Sequence, residues 1–143
     1  MMRLSAVFPR SFVFSALCMT VFCTAAGAAP AKTDDDDPNV NARGTGVNRL
    51  LETLRYSPDS ASEACLNALG EMHKMQKQLD DVEGRDNDSD TNLVRDVLAS
   101  DMEDVITMCG ADAHRLCREK ADTDDKLSKL CAGLPGDPAD DPG

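Results

Sequence analysis

Aromatic side chains are scarce in this sequence. It contains no Trp, its single Tyr is Tyr56, and all four Phe fall within residues 1–28. Phe, Tyr and Trp supply the largest buried areas in most cores. A small domain built from the rest of the chain must therefore depend on aliphatic packing and on covalent cross-links for its stability.

Recognisable motifs for catalysis are also missing. His73 and His114 are the only histidines, and neither lies in a nucleophile motif. The sequence has no Gly-rich loop of the kind that cradles phosphate. Carboxylates are abundant, but no pair stands out, so a small hydrolase with a carboxylate pair is kept only as an alternative. We expect no enzyme and no cofactor.

Positive charge is the third deficit. The chain has 15 basic against 26 acidic residues, for a net charge of −11. Such a chain has no electrostatic reason to bind nucleic acid or an anionic membrane surface. Its charge keeps an exported protein soluble and favours cations and basic partners. We therefore expect a partner that is a protein or another macromolecule, with a basic one favoured, and no nucleic acid.

Residues 1–28 have the features of a secretory signal peptide. Two arginines precede the apolar run Ser11–Cys23, and Ala26–Ala28 then places small residues before a cleavage point. The run is shorter than the roughly 20 apolar residues that cross a membrane. We expect cleavage after Ala28 to leave a protein without a stable membrane anchor. It would be secreted or otherwise extracytoplasmic, in a periplasm, a secretory lumen or the extracellular space.

The remainder is predicted to be all-α. Segments 29–44 and 135–143 have little apolar content, so we expect a disordered acidic arm and a disordered acidic tail. Between them, residues 45–134 should form one domain, a small disulfide-stapled helical hairpin or bundle of about four helices. No alternating strand pattern is present.

Helix boundaries follow from apolar spacing and from caps. The first helix has an apolar stripe from Val47 to Leu54, and the second opens with a capping box at Ser60–Glu63. The apolar face of the second helix has one polar exception, Gln76. Asp90 is expected to cap the third helix. Asp122 or Thr123 is expected to cap a short last helix.

Four cysteines remain after the signal segment, an even number in an exported chain, which predicts two disulfides. They are Cys65, Cys109, Cys117 and Cys131. Hairpin symmetry about Asn87 places Cys65 opposite Cys109 and leaves Cys117 to pair with Cys131. The rival scheme joins Cys65 to Cys117 and Cys109 to Cys131. We favour the first scheme, because the predicted turn centres on Asn87.

Two short segments offer side chains that could bind a metal. Thioethers and an imidazole within one helical turn suit copper, and carboxylates at alternate positions suit calcium. The candidates are Met72, His73 and Met75 for the first, and Asp86, Asp88 and Asp90 for the second. Core packing and a solvated turn are the competing interpretations. Asn87 also begins an N-glycosylation sequon, which has meaning only in a eukaryotic secretory pathway.

The segment "CGADAHRLC" resembles the C-x-x-D-x-x-x-x-C element of the cysteine-rich repeats in Golgi and secretory glycoproteins. Cys109, Asp112 and Cys117 match that element, and Cys131 stands where a next cysteine could follow. The resemblance implies a luminal or extracellular binding module. Composition and cysteine use independently favour an exported, non-catalytic, disulfide-stabilised binding protein. An exported metal-handling protein, for copper or calcium, is the first alternative.

Overall fold

The structure, a computed structural model, describes residues 29–83 and 88–136, and these ranges contain helices and no strand. The helices are α1 (Pro38–Tyr56), α2 (Glu63–Val82), α3 (Asp88–Lys120) and α4 (Asp125–Cys131), with single 3-10 turns at Pro58–Ser60 and Ala121–Thr123. The predicted all-α class with disulfide-linked helices is confirmed. The predicted signal peptide, residues 84–87 between α2 and α3, and residues 137–143 of the predicted acidic tail lie outside the described residues.

The first helix begins earlier than its apolar stripe indicated. Asp37 caps α1 by accepting a hydrogen bond from the backbone N–H of Asn39, and Pro38 occupies the first helical position. Val40 is fully buried, one heptad before Val47. The helical domain therefore begins before residue 45, where the prediction placed its boundary from the low apolar content of residues 29–44 alone.

The segment that precedes α1 is also packed rather than free. We call residues 29–37 the strap. Ala31 is 5% exposed and Asp35 is 7% exposed, so both lie inside the fold. The expected disordered arm over residues 29–44 is thus replaced by a strap and the first turns of a helix. Side chains of α1 and α2 hold the strap in place by hydrogen bonds. Composition alone does not reveal such contacts.

Three predicted helix caps differ from the structure, and Asp90, expected to cap the third helix, is the third residue of α3. Ser62, and not Ser60, caps α2, and its Oγ accepts from the backbone N–H of Cys65. Pro58 starts a 3-10 turn that includes Ser60, the residue expected to cap the helix. At α4 the cap is Asp124, whose carboxylate accepts two backbone N–H groups.

The longest helix, α3, is the centre of the fold. It runs for 33 residues and passes Gly110 without a break. Helices α1 and α2 both pack along α3, yet within the described ranges no Cα of α1 comes within 8 Å of a Cα of α2. The largest fully buried side chains are aliphatic or sulfur-containing, and they include Leu50, Met72, Leu79, Leu98, Met102 and Leu116. The strap bridges the separation between α1 and α2.

None of the helices in the described ranges is long and apolar enough to cross a membrane.

Candidate interaction surfaces

Two disulfides tie α3 to its neighbours. Cys65 of α2 is bonded to Cys109 with a Cα–Cα distance of 4.6 Å, and Cys117 is bonded to Cys131 of α4 with a Cα–Cα distance of 5.8 Å. This is the pairing that hairpin symmetry favours. With all four sulfurs in cross-links, these cysteines offer no thiolate for metal binding or for nucleophilic chemistry.

The polar side chains between Cys109 and Cys117 also hold segments together. Asp112 is 2% exposed, and its carboxylate accepts from the backbone N–H of Ser62 at 2.6 Å and from Arg115 at 2.8 Å. Arg115 additionally donates to the carbonyl of Ser60, and His114 Nε2 lies 3.0 Å from the carbonyl of Pro135. The segment therefore joins α3 to the start of α2 and to the chain after α4.

Burial raises the pKa of the Asp112 carboxyl, but the hydrogen bonds from Ser62 and the charge of Arg115 outweigh burial. The net pKa lies below the usual value of 3.8. Asp112 is therefore ionised at neutral pH and holds the N-terminal end of α2 to α3. In this chain the Asp of the C-x-x-D-x-x-x-x-C element therefore fixes the start of α2 against α3.

The residues expected to bind copper do not form an open site. Met72 is fully buried in the core, and Met75 is partly buried against it. His73 Nε2 lies 2.9 Å from the carbonyl of Ala29. In the parts of the chain that the structure describes, no group of three or more His, Cys, Asp or Glu side chains could hold a metal ion.

The aspartates expected to bind calcium lie at or beyond the edge of the described region. Asp86 and Asn87 lie outside it, and Asp88 is the first residue of α3. Asp90 is exposed in the first turn of that helix. Calcium binding by these aspartates stays a prediction.

A shallow groove of about 420 Å³ lies on the surface of α2 and α3. We call it the acidic groove and define it by Leu66, Gly70, Glu71, Asp101 and Asp104, which contribute to its lining. Leu66 is 57% exposed, and a Cβ added at Gly70 would meet nothing within 4 Å. The groove therefore combines an exposed aliphatic side chain, open backbone and three carboxyl groups.

Charge is poorly compensated in the acidic groove. Partial burial, and then the negative charges of Asp104 and Glu71, raise the pKa of the Asp101 carboxyl above 3.8, although Lys74 opposes the shift. Lys74 forms an ion pair with Glu71 at 3.3 Å. Among the described residues, Asp101 and Asp104 have no ion-pair partner. A cation that entered the groove would relieve this repulsion.

A second surface is the channel between α1 and α2 that the strap occupies, which we call the strap groove. Asn48 of α1 accepts from the N–H of Ala31 at 2.7 Å and donates to the carbonyl of Ala31 at 3.1 Å. Gln76 of α2 donates to the carbonyl of Pro30 at 3.3 Å. Both walls of this groove therefore bind the backbone of the strap through side-chain amides.

Charged side chains close the far end of the strap groove. Lys32 Nζ lies 2.7 Å from Glu83 Oε2 and 3.8 Å from Asp80 Oδ1. Arg95 Nε of α3 lies 2.8 Å from Asp35 Oδ1. Each charged residue of the strap that faces inward thus meets the opposite charge.

The pKa values in this cluster follow from these contacts. Burial raises the pKa of the Asp35 carboxyl. The hydrogen bond from the backbone N–H of Asp37 and the guanidinium of Arg95 together lower the pKa by more than burial raises it, so the net pKa lies below 3.8. Burial lowers the pKa of Lys32, yet the carboxylates, Glu83 foremost, leave it above 10.5. Both strap residues remain charged at neutral pH.

Sequence reasoning did not find the strap groove. One signal was present, because Gln76 interrupts the apolar face of the second helix. The amide pairs with a carbonyl more than 40 residues away in the chain, and spacing along one helix contains no information about that partner.

Comparison with protein families, with curated proteins and with solved structures found no match to this chain.

Proposed function

We propose that this chain is an exported, non-catalytic binding protein whose acidic groove takes a basic side chain or basic surface of a macromolecular partner. The carrying observation is that Glu71, Asp101 and Asp104 line one groove together with an exposed Leu66. A partner that brings a Lys or Arg with an apolar neighbour would neutralise the carboxylates and cover the leucine.

Export is supported by two further features. Two intramolecular disulfides are compatible with an oxidising compartment, where such bonds persist. The segment before Ala29 has the order of a secretory signal. Disulfides that join α3 to α2 and to α4 suit a binding module that must keep its fold outside the cytosol.

Binding fits the acidic groove better than hydrolysis does. Glu71 and Asp104 are exposed, so water surrounds both carboxylates. Carboxyl pairs in glycosidases flank an enclosed bond, and one of them acts as an acid in a dry environment. An open, water-filled groove stabilises charge on a partner without providing such an environment.

The test is capture of a partner from the extracytoplasmic fraction of the source organism at low and at high salt. The double variant Asp101→Asn with Asp104→Asn should lose the partner. Glu52→Gln with Asp59→Asn is the matched control, because it removes the same charge from exposed positions outside the acidic groove. High salt should weaken capture by the wild type, since screening acts on exposed charge pairs.

Capture that is equal in both double variants, or that is indifferent to salt, would remove the acidic groove as the binding surface.

A further inference from the structure

The strap is held largely through its backbone. The carbonyls of two successive residues, Pro30 and Ala31, bond to opposite walls of the strap groove, the first to Gln76 and the second to Asn48. His73 adds a contact with the carbonyl of Ala29. Main-chain hydrogen bonds of this kind recognise an extended segment by its shape, and side-chain positions then decide which segment is preferred.

Three buried side-chain atoms in the strap groove have no hydrogen-bond partner among the described residues, and two of them, Asp35 Oδ2 and Arg95 Nε, belong to ion pairs. The third is not engaged by the strap at all. Gln76 Oε1 is buried and has no hydrogen-bond partner among the described residues. At Ala31, the amide of Asn48 bonds both the N–H and the carbonyl. Gln76 can bond only the carbonyl of its residue, because Pro30 has no N–H.

A different residue in place of Pro30 would complete this second pair. In an extended segment the N–H and the carbonyl of one residue point to the same side, so both would face Gln76. Buried acceptors are satisfied in the great majority of native sites. The strap groove thus accommodates an extended segment with an N–H at this position better than it accommodates its own strap.

The side-chain positions of the strap define a pattern. Ala31 is buried at the floor, so a small residue is required there. The next residue, Lys32, reaches the carboxylates of Glu83 and Asp80. Three residues further on, a carboxylate meets Arg95. The pattern is therefore small, basic, any, any, acidic.

We propose that the strap groove is a binding site for an extended segment of another protein with this pattern and without Pro before the small residue, and that the strap is a tethered competitor for it. The proposal rests on the binding function above but assigns a different surface to the contact. Because the strap is attached to α1, its effective concentration is high. A partner's apparent affinity then falls by the fraction of time for which the groove is open.

The test uses the full chain with the strap weakened by Lys32→Ala and Asp35→Asn, which leave the walls intact. The probe is a fluorescein-labelled peptide of residues 29–36 carrying Pro30→Ala, and the readout is fluorescence anisotropy. The peptide should bind the strap-weakened chain at least about tenfold more tightly than the wild type. Adding Asn48→Ala to the strap-weakened chain should abolish binding. Equal binding to wild-type and strap-weakened chains would overturn the proposal.

Wild-type chain provides a second measurement that does not depend on a variant folding. Excess peptide should speed hydrogen exchange at the N–H of Ala31, since displacement frees that N–H from Asn48. Unchanged exchange under excess peptide would contradict displacement. Dimerisation of the strap-weakened chain without peptide binding would instead identify a second copy as the occupant and overturn the proposed partner.

The unused acceptor has its own test. Peptides with and without Pro30→Ala are compared on the strap-weakened chain and on the same chain carrying Gln76→Leu. The preference for the peptide that has the additional N–H should be about fivefold greater on the chain with Gln76. An equal preference on both chains would refute a role for Gln76 Oε1.

The two binding surfaces fail separately. Partner capture that depends on Asp101 and Asp104, together with no peptide binding, would overturn the strap groove alone. Peptide binding that depends on Asn48, together with salt-indifferent capture, would overturn the acidic groove alone.

Discussion

Replacing Gly44 by Ala should destabilise this protein, although Ala is the better helix former. Gly44 lies in α1 directly under the strap. A Cβ at this position would be 1.9 Å from the carbonyl oxygen of Lys32, and that neighbour is backbone rather than the end of a flexible side chain. The strap would have to move by about 1 Å or more to restore a normal contact distance.

The magnitude follows from what such a movement removes. The two hydrogen bonds between Ala31 and Asn48 contribute about 0.5–1.5 kcal/mol each. Burial of the Ala31 methyl group adds about 0.8 kcal/mol. The gain in helix propensity from Gly to Ala offsets about 0.8–1 kcal/mol of this loss. We expect Gly44→Ala to lower the free energy of unfolding by about 1–3 kcal/mol.

Gly70→Ala is the matched control, because it is the same chemical change inside a helix. A Cβ at Gly70 meets nothing within 4 Å, so only the propensity gain of about 0.8–1 kcal/mol remains and the variant should be more stable than the wild type. Thermal unfolding followed by circular dichroism measures both. The expected shift for Gly44→Ala is a midpoint about 5–15 °C lower. An unfolding midpoint of Gly44→Ala at or above that of the wild type would refute the packing of the strap against α1 at Gly44.

Three further outcomes are expected. Reduction of both disulfides should unfold the domain, since the bond from Cys65 to Cys109 alone contributes about 4 kcal/mol in the chain-entropy model; an unchanged helical spectrum and melting point in reductant would contradict this. The pKa of the Asp112 carboxyl is lower in the folded protein than the value of 3.8 expected in the unfolded chain. Asp112 therefore contributes its full stability above pH 3.8, and this contribution is lost as the pH falls from 3.8 towards the lower folded-state pKa. Asp112→Asn should therefore flatten the acid limb of a urea-midpoint profile, and an unchanged slope would exclude this carboxylate. Leu50→Ala should cost about 2–5 kcal/mol by leaving a cavity at a fully buried position, measured by urea unfolding; a loss below 1 kcal/mol would contradict close packing there.

Helix boundaries were predictable where one local signal acted alone. The apolar stripe from Val47 to Leu54 is buried in α1, and Pro58 lies just beyond the end of that helix. The prediction missed the start of α1, where Asp37 and Pro38 compete with a polar composition. It also placed two caps one or two residues too early and the cap of α3 too late, because several neighbouring Ser, Thr and Asp residues can each serve as an N-cap and tertiary contacts choose among them.

Candidate site residues were less predictable than helices. Of the three copper candidates, Met72 lies in the core, as the competing interpretation of core packing expected, whereas His73 contacts the strap, which the sequence indicated to be disordered. Asp112 was noted for its spacing, and its hydrogen bond to Ser62 spans 50 residues. Such contacts are set by the relative placement of helices, and the periodicity of a single helix contains no information about them.

By itself, the amino-acid sequence determined the all-α class and the apolar faces that pack on α3, and the symmetry of one hairpin favoured Cys65 opposite Cys109. These properties depend on residue spacing along the chain, because a helix repeats every 3.6 residues. Only the tertiary structure decided that residues 29–37 are a strap, that Asn48 and Gln76 bind its backbone, and that three carboxylates line the acidic groove. Those contacts join residues distant in sequence, and each forms only after the helices have packed.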